Sequence, residues 1–150
     1  SKKLDENALA LYIYGTLLRH SLIDDNSSKH QHYPAPLERA MACIADNLGR
    51  KISIEKLSKN SGVSQPHLFK LFQTHLRTSP HQYILSQQLL RAKTLLAGTT
   101  ISIKAVADEC GFENIEVFYR RFSRENGISP GRYRNAHLPY QFPNAAAAEK

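Results

Sequence analysis

The sequence predicts an all-α protein, with two helix–turn–helix subdomains joined by a long connecting helix and preceded by an extra N-terminal helix. One observation is a repeat. Ser53-Ile54 lines up with Ser102-Ile103, Leu57 with Val106 and Gly62-Val63 with Gly111-Phe112, each pair 49 positions apart. Beyond that turn Leu68 matches Phe118, Phe72 matches Phe122, and Ser79-Pro80 and Tyr83 match Ser129-Pro130 and Tyr133, now 50 apart. The second copy therefore carries one extra residue. A second observation is that apolar residues return at helical spacing behind serine caps along most of the chain. The third is that no segment shows the period-two alternation of a half-buried strand.

Taken in order, residues 4–23 read as a helix whose apolar stripe is too wide to be left in water. Leu4, Ala8, Leu11, Tyr12, Leu18 and Leu22 are flanked by Leu9, Ile13 and Leu17. It must pack on the rest of the chain, on a second copy, or on a missing domain. Residues 24–36 are polar and end in two prolines, the composition of a linker. Pro36 opens a helix over 37–47, with Leu37, Met41, Ile44 and Leu48 on one face and Gly49 as its stop. Ser53 caps the first helix of the first unit, Gly62 makes a left-handed turn and Ser64 caps the second helix, which buries Leu68, Leu71 and Phe72.

Ser79-Pro80 starts the connecting helix, which runs to Leu96 and stops at Gly98. Tyr83, Ile84, Leu89, Ala92, Leu95 and Leu96 are its apolar positions. Ser102 caps the next helix, Gly111-Phe112 makes its turn, and 114–126 forms the second unit's outer helix on Phe118 and Phe122. Ser129-Pro130 caps a last short helix ending near Arg134, and 136–150 is a Pro- and Ala-rich tail.

With 150 residues, 41% of them hydrophobic, the chain can bury a core. Its net charge of +7 favours a polyanionic partner. Placement of the charge says more. Arg120, Arg121, Arg124, Arg132 and Arg134 crowd one short stretch, opposed there only by Glu125. Cys43 and Cys110 lie in predicted helices without CxxC spacing, which reads as buried free thiols in a reducing cytosol rather than a disulfide or redox pair. His30 and His32 lack further ligands at a recognisable spacing, so neither a metal nor a cofactor is expected. No signal peptide opens the chain, and its longest apolar run, residues 8–13, falls far short of the ~20 residues a membrane span needs. A cytoplasmic location is the expectation.

A helix, a Gly-containing turn and a second helix form the unit that sets a helix into the major groove of DNA. Residues 37–135 resemble the DNA-binding domain of the AraC/XylS family of bacterial transcription regulators. The resemblance rests on Ala105-Val106-Ala107, Cys110-Gly111-Phe112, Phe118, Phe122, Gly127-Ile128-Ser129-Pro130 and Tyr133-Arg134, with residues 88–96 fitting upstream. It implies seven helices, and double-stranded promoter DNA read by two recognition helices in successive major-groove segments. It also implies activation through RNA polymerase. Many relatives carry an upstream sensor or dimerisation domain, of which 1–23 would be a remnant able to pair two chains. The absence of an initial methionine suits a piece of a longer regulator.

On the first recognition helix, burial of Leu68, Leu71 and Phe72 turns Gln65, Pro66, Phe69, Lys70, Gln73 and Thr74 outward. The resemblance places base contacts at Gln65, Pro66, Phe69 and Lys70. Lys70 could donate to guanine and Gln65 could pair with adenine. Phe69 departs from the family's polar residue, and is either a thymine-methyl contact or a ring buried by a rotated helix. Arg77 stands where the family often has glycine, and either reaches a phosphate or caps its helix. On the second helix the resemblance places contacts at Asn114, Ile115, Glu116 and Arg120. Arg120 to guanine leads, while Glu116 either accepts from cytosine or holds Arg120. Gln73, Thr74, Arg77, Lys104, Arg121, Arg124 and Arg132 are expected at phosphates, which position without specifying sequence.

The rival readings are an enzyme, for which no HExxH, GxSxG or phosphate-loop pattern exists, and a non-enzymatic helical adaptor that binds protein through a basic surface. An adaptor has no use for an arginine-rich second unit.

Overall fold

Serine side chains start most of the helices. In the computed structural model, which describes residues 32–137, Ser53, Ser64, Ser79 and Ser102 each accept a hydrogen bond from the backbone N–H three residues on. Ser129 does the same for Arg132 at 3.3 Å. Each bond satisfies one of the N–H groups that a helix start leaves without a partner. The described residues form seven helices and no strand: α1 (Ala35–Asp46), α2 (Ile54–Ser61), α3 (Gln65–Leu76), α4 (Pro80–Gly98), α5 (Ile103–Glu109), α6 (Ile115–Asn126) and α7 (Pro130–His137).

Two apolar clusters organise them. The first takes Leu37, Ala40 and Ile44 from α1, Leu57 from α2, Leu68, Leu71 and Phe72 from α3, and Ile84 from α4. The second takes Leu89, Ala92 and Leu96 from α4, Val106 and Ala107 from α5, Cys110, and Phe118 and Phe122 from α6. Thus α4 gives its first half to one core and its second half to the other. Its 19 residues at ~1.5 Å each make a rod of ~28 Å.

The repeat read in the sequence is a repeat in space. Phe72 meets Tyr83 edge-on at 5.4 Å, and its counterpart Phe122 meets Tyr133 edge-on at 5.5 Å. Pro80 and Pro130 are both fully buried behind their capping serines. Therefore α7 stands to the second unit as the start of α4 stands to the first.

Several local expectations are corrected. Gly49 does not stop α1. Asn47 ends it, with its Nδ2 donating to the Cys43 carbonyl at 2.8 Å, and Gly49 follows in the loop. The connecting helix does end at Gly98, as the sequence predicts. Thr99 closes that helix by turning both its N–H and its hydroxyl onto the Leu95 carbonyl, at 3.0 and 2.6 Å. Cys110 lies just past α5 as its cap rather than inside it, and Asn114 lies just before α6. Ala35, read as linker, already belongs to α1, whose first turn holds Pro36 as expected, and Tyr33 packs against the first core. Ala136 and His137, read as the start of the tail, complete α7. The expected helix over 4–23, His30, and the tail from 138 fall outside the described residues.

Candidate nucleic-acid interface

The outer helix of each unit is held by its buried side, which leaves the opposite side to solvent. In α3, Leu68 and Phe72 are fully buried and Leu71 nearly so. Gln65, Pro66, Phe69, Lys70, Gln73 and Thr74 are consequently exposed. Pro66 lies in the first turn, where an absent N–H leaves no helix bond unmade. The two readings of Phe69 resolve toward the surface: the ring is 37% exposed and leans edge-on against His81 at 5.9 Å. Arg77 occupies the cap position of α3 with φ 55°, the only non-glycine among the described residues in the left-handed region. Its side chain is exposed.

In α6, Phe118 and Phe122 are fully buried, and Glu116, Tyr119, Arg120 and Arg124 are exposed. Ile115 and Arg121 are half-buried. Asn114 is exposed, but its Oδ1 is occupied, accepting from the N–H groups of Glu116 and Val117 at 2.8 and 3.1 Å. Only its amide nitrogen is free to donate outward. Glu116 sits in the first turn, where a carboxylate complements the positive end of the helix. No ion pair joins Glu116 to Arg120 among the described residues, so the structure lends nothing to the idea that Glu116 holds it. Lys104 pairs with Asp108 at 3.1 Å, both exposed on α5, a contact that phosphate would have to compete with. Arg132 is exposed on α7.

Two side chains outside the sequence-derived set sit beside these. Tyr119 is 37% exposed on α6. Arg134 lies near it, with Nε and Nη2 shielded from solvent and without hydrogen-bond partners. Burial lowers the pKa of Arg134, and Tyr119 opposes that shift. The sequence placed Arg134 in an arginine-rich stretch, and its shielding shows only in the structure. Another basic residue, Arg39, serves the fold. Its Nη2 donates to the Ser61 carbonyl at 2.8 Å and so ties α1 to the first turn. Among the described residues no helix is long and apolar enough to cross a membrane, and no cluster of metal-ligating side chains occurs.

Two capped helix–turn–helix units sharing one rod, each with a solvent-facing outer helix, define a double helix–turn–helix DNA-binding domain. The helix-turn-helix domain family matches residues 57–136. The solved DNA-binding domain of AdpA, a global transcriptional factor in complex with a target DNA, is similar at 28% identity and TM-score 0.66, over 69% of this chain and 93% of that one. An AraC-type regulator from Chromobacterium violaceum is similar at 28% identity and TM-score 0.66, over 71% of this chain and 95% of its own. The transcriptional activator RhaR of Klebsiella pneumoniae is 31% identical over 132 residues, 85% of this chain and 47% of the relative. The chain belongs to the AraC family of transcription regulators. It spans about half or less of the length of the curated relatives it matches.

Proposed function

We propose that this chain is the promoter-binding part of a bacterial transcription activator, inserting α3 and α6 into successive major-groove segments of double-stranded DNA. The observation that carries the reading is the pairing of two equivalent outer helices, each exposed opposite its buried aromatic or aliphatic anchor, on one ~28 Å rod. Successive groove segments on one face of DNA lie ~34 Å apart, so two helices held at about that separation let a single chain read an asymmetric site. Any shortfall would be met by bending the duplex, at a cost of ~1–6 kcal/mol that depends on sequence.

In this reading Gln65, Pro66, Phe69 and Lys70 meet bases in one segment, and Asn114, Ile115, Glu116 and Arg120 meet them in the other. Asn114 donates through its amide nitrogen, since its oxygen caps α6. Gln73, Thr74, Arg77, Lys104, Arg121, Arg124 and Arg132 lie along phosphates. The protein acts in the cytoplasm, signals to RNA polymerase, and pairs through residues 1–23 or through sequence beyond this chain. Similarity to an activator and to a DNA-bound domain supports this assignment.

Footprinting on genomic DNA tests it. Protection of a discrete promoter site that persists against excess random duplex is the expected result. Equal affinity for cognate and random DNA, lost alike as salt rises, would leave only a basic protein without sequence preference.

A further inference from the structure

The rod α4 is not the only connection between the two units. The loop after α1 touches the turn after α5 backbone to backbone. A Cβ placed on Gly111 would stand 2.7 Å from the Leu48 carbonyl oxygen, 3.1 Å from that of Arg50 and 3.1 Å from Gln88 Nε2. A Cβ on Gly49 would stand 3.1 Å from the Glu109 carbonyl oxygen. Each unit thus offers a glycine to the other at the same place: Gly111 has no room for a side chain, and at Gly49 one would fit only if the Glu109 carbonyl gave way by a few tenths of an ångström. Both sides are anchored: Leu48 is buried in the first core and Cys110 in the second. Gln88, halfway along the rod, closes the third side of the notch. Lys51 and Glu113 add an ion pair across the same seam at 3.2 Å, exposed and therefore secondary.

We infer that this glycine-on-glycine clasp, formed by Gly49 and Gly111 with Gln88, sets the orientation of α6 relative to α3 and so the spacing of groove segments the protein accepts. A rod alone fixes the distance between two units. It fixes their rotation less well, because each unit can pivot where it joins the helix. A second attachment off the rod axis removes that pivot. The effect on spacing rests on the DNA-binding reading above, whereas the effect on orientation does not.

The test compares glycines of similar φ and unequal surroundings. Gly111 has φ 80° and Gly127 has φ 73°, but nothing lies within 4 Å of a Cβ on Gly127. Asparagine tolerates left-handed backbone, so Gly111→Asn adds a collision at the seam that Gly127→Asn does not. Spin labels on Lys56→Cys and Glu125→Cys, in a Cys43→Ser chain whose Cys110 is fully buried, report the distance between units by double electron–electron resonance.

The expected result is a broadened or displaced distance distribution for Gly111→Asn and a wild-type one for Gly127→Asn. On footprinted DNA carrying one added base pair between segments, the wild-type chain should bind about tenfold more weakly than on its own site, the scale of a single mismatch. Gly111→Asn should lose most of that discrimination. Should Gly111→Asn fail to fold, Gly49→Ala makes a milder push at the same seam and takes its place. An unchanged distribution in the folded seam variant would overturn the clasp. A changed distribution without any sequence-specific binding by the wild-type chain would keep the clasp and overturn the DNA reading.

Discussion

The outer helix of the first unit presents Pro66, Phe69 and a single lysine, Lys70, whereas that of the second carries Arg120, Arg121 and Arg124 with Glu116 and Glu125. Their inner sides are alike, with Leu68 and Phe72 answering to Phe118 and Phe122, all fully buried. What the chain keeps constant between its copies is the packing that aims a helix. What it varies is the surface the helix shows. On the proposed reading, the arginine-rich second unit would be the one to hold phosphates and donate to guanine. The first, with its half-exposed ring and few charges, is suited to apolar contact and shape.

The comparison breaks first at the cores. Phe122→Ala and Phe72→Ala each remove a fully buried ring and should each cost ~3–5 kcal/mol in urea unfolding. If one proved nearly neutral, the two copies would not be equivalent supports. At the surface the asymmetry should be visible in binding. Arg120→Ala should cost ~1–3 kcal/mol on the footprinted site and relax discrimination at one base pair of the second segment. Lys70→Ala should do the same in the first segment, which competition among single-base variants of the site would resolve.

The helix ends offer a subtler contrast. Both outer helices end in left-handed backbone, on Arg77 with φ 55° and on Gly127 with φ 73°. A side chain there costs ~1–2 kcal/mol, partly offset by the greater unfolded-state freedom of glycine. Arg77→Gly should therefore stabilise the chain by ~0.5–1 kcal/mol and Gly127→Ala should destabilise it by ~1 kcal/mol, read as shifts in the urea midpoint. A loss of stability in Arg77→Gly would mean that the arginine side chain contributes more than its backbone costs. Smallest is Arg124→Ala, which should weaken all sequences alike and flatten the salt dependence of binding by ~1 unit of slope.

The same contrast explains what could be read without coordinates. The serine caps were legible because a hydroxyl before an apolar run has one local role, and Ser53, Ser64, Ser79, Ser102 and Ser129 all perform it. The buried side of each outer helix was legible through the match of Phe72 to Phe122. The role of Gly49 was not, because a glycine near a helix end can serve a turn or a close approach, and sequence does not separate the two. Gly49 answers to Glu109, a residue sixty positions away in the other unit. Arg77 was legible as a residue at the end of its helix, read as a phosphate contact or a cap, whereas its left-handed torsion was not. In the candidate interface, exposure of Lys70 and Arg120 followed from periodicity. The capture of the Asn114 oxygen by its own helix and the shielding of Arg134 depend on local geometry that periodicity does not carry.

The most direct measurement is a hydroxyl-radical footprint of one chain per duplex on its own site, repeated with Lys70→Ala and Arg120→Ala. Two protected tracts ~10 base pairs apart on one face of the DNA should appear, with Lys70→Ala eroding one and Arg120→Ala the other. A single tract, or both substitutions thinning the same tract, would contradict the account.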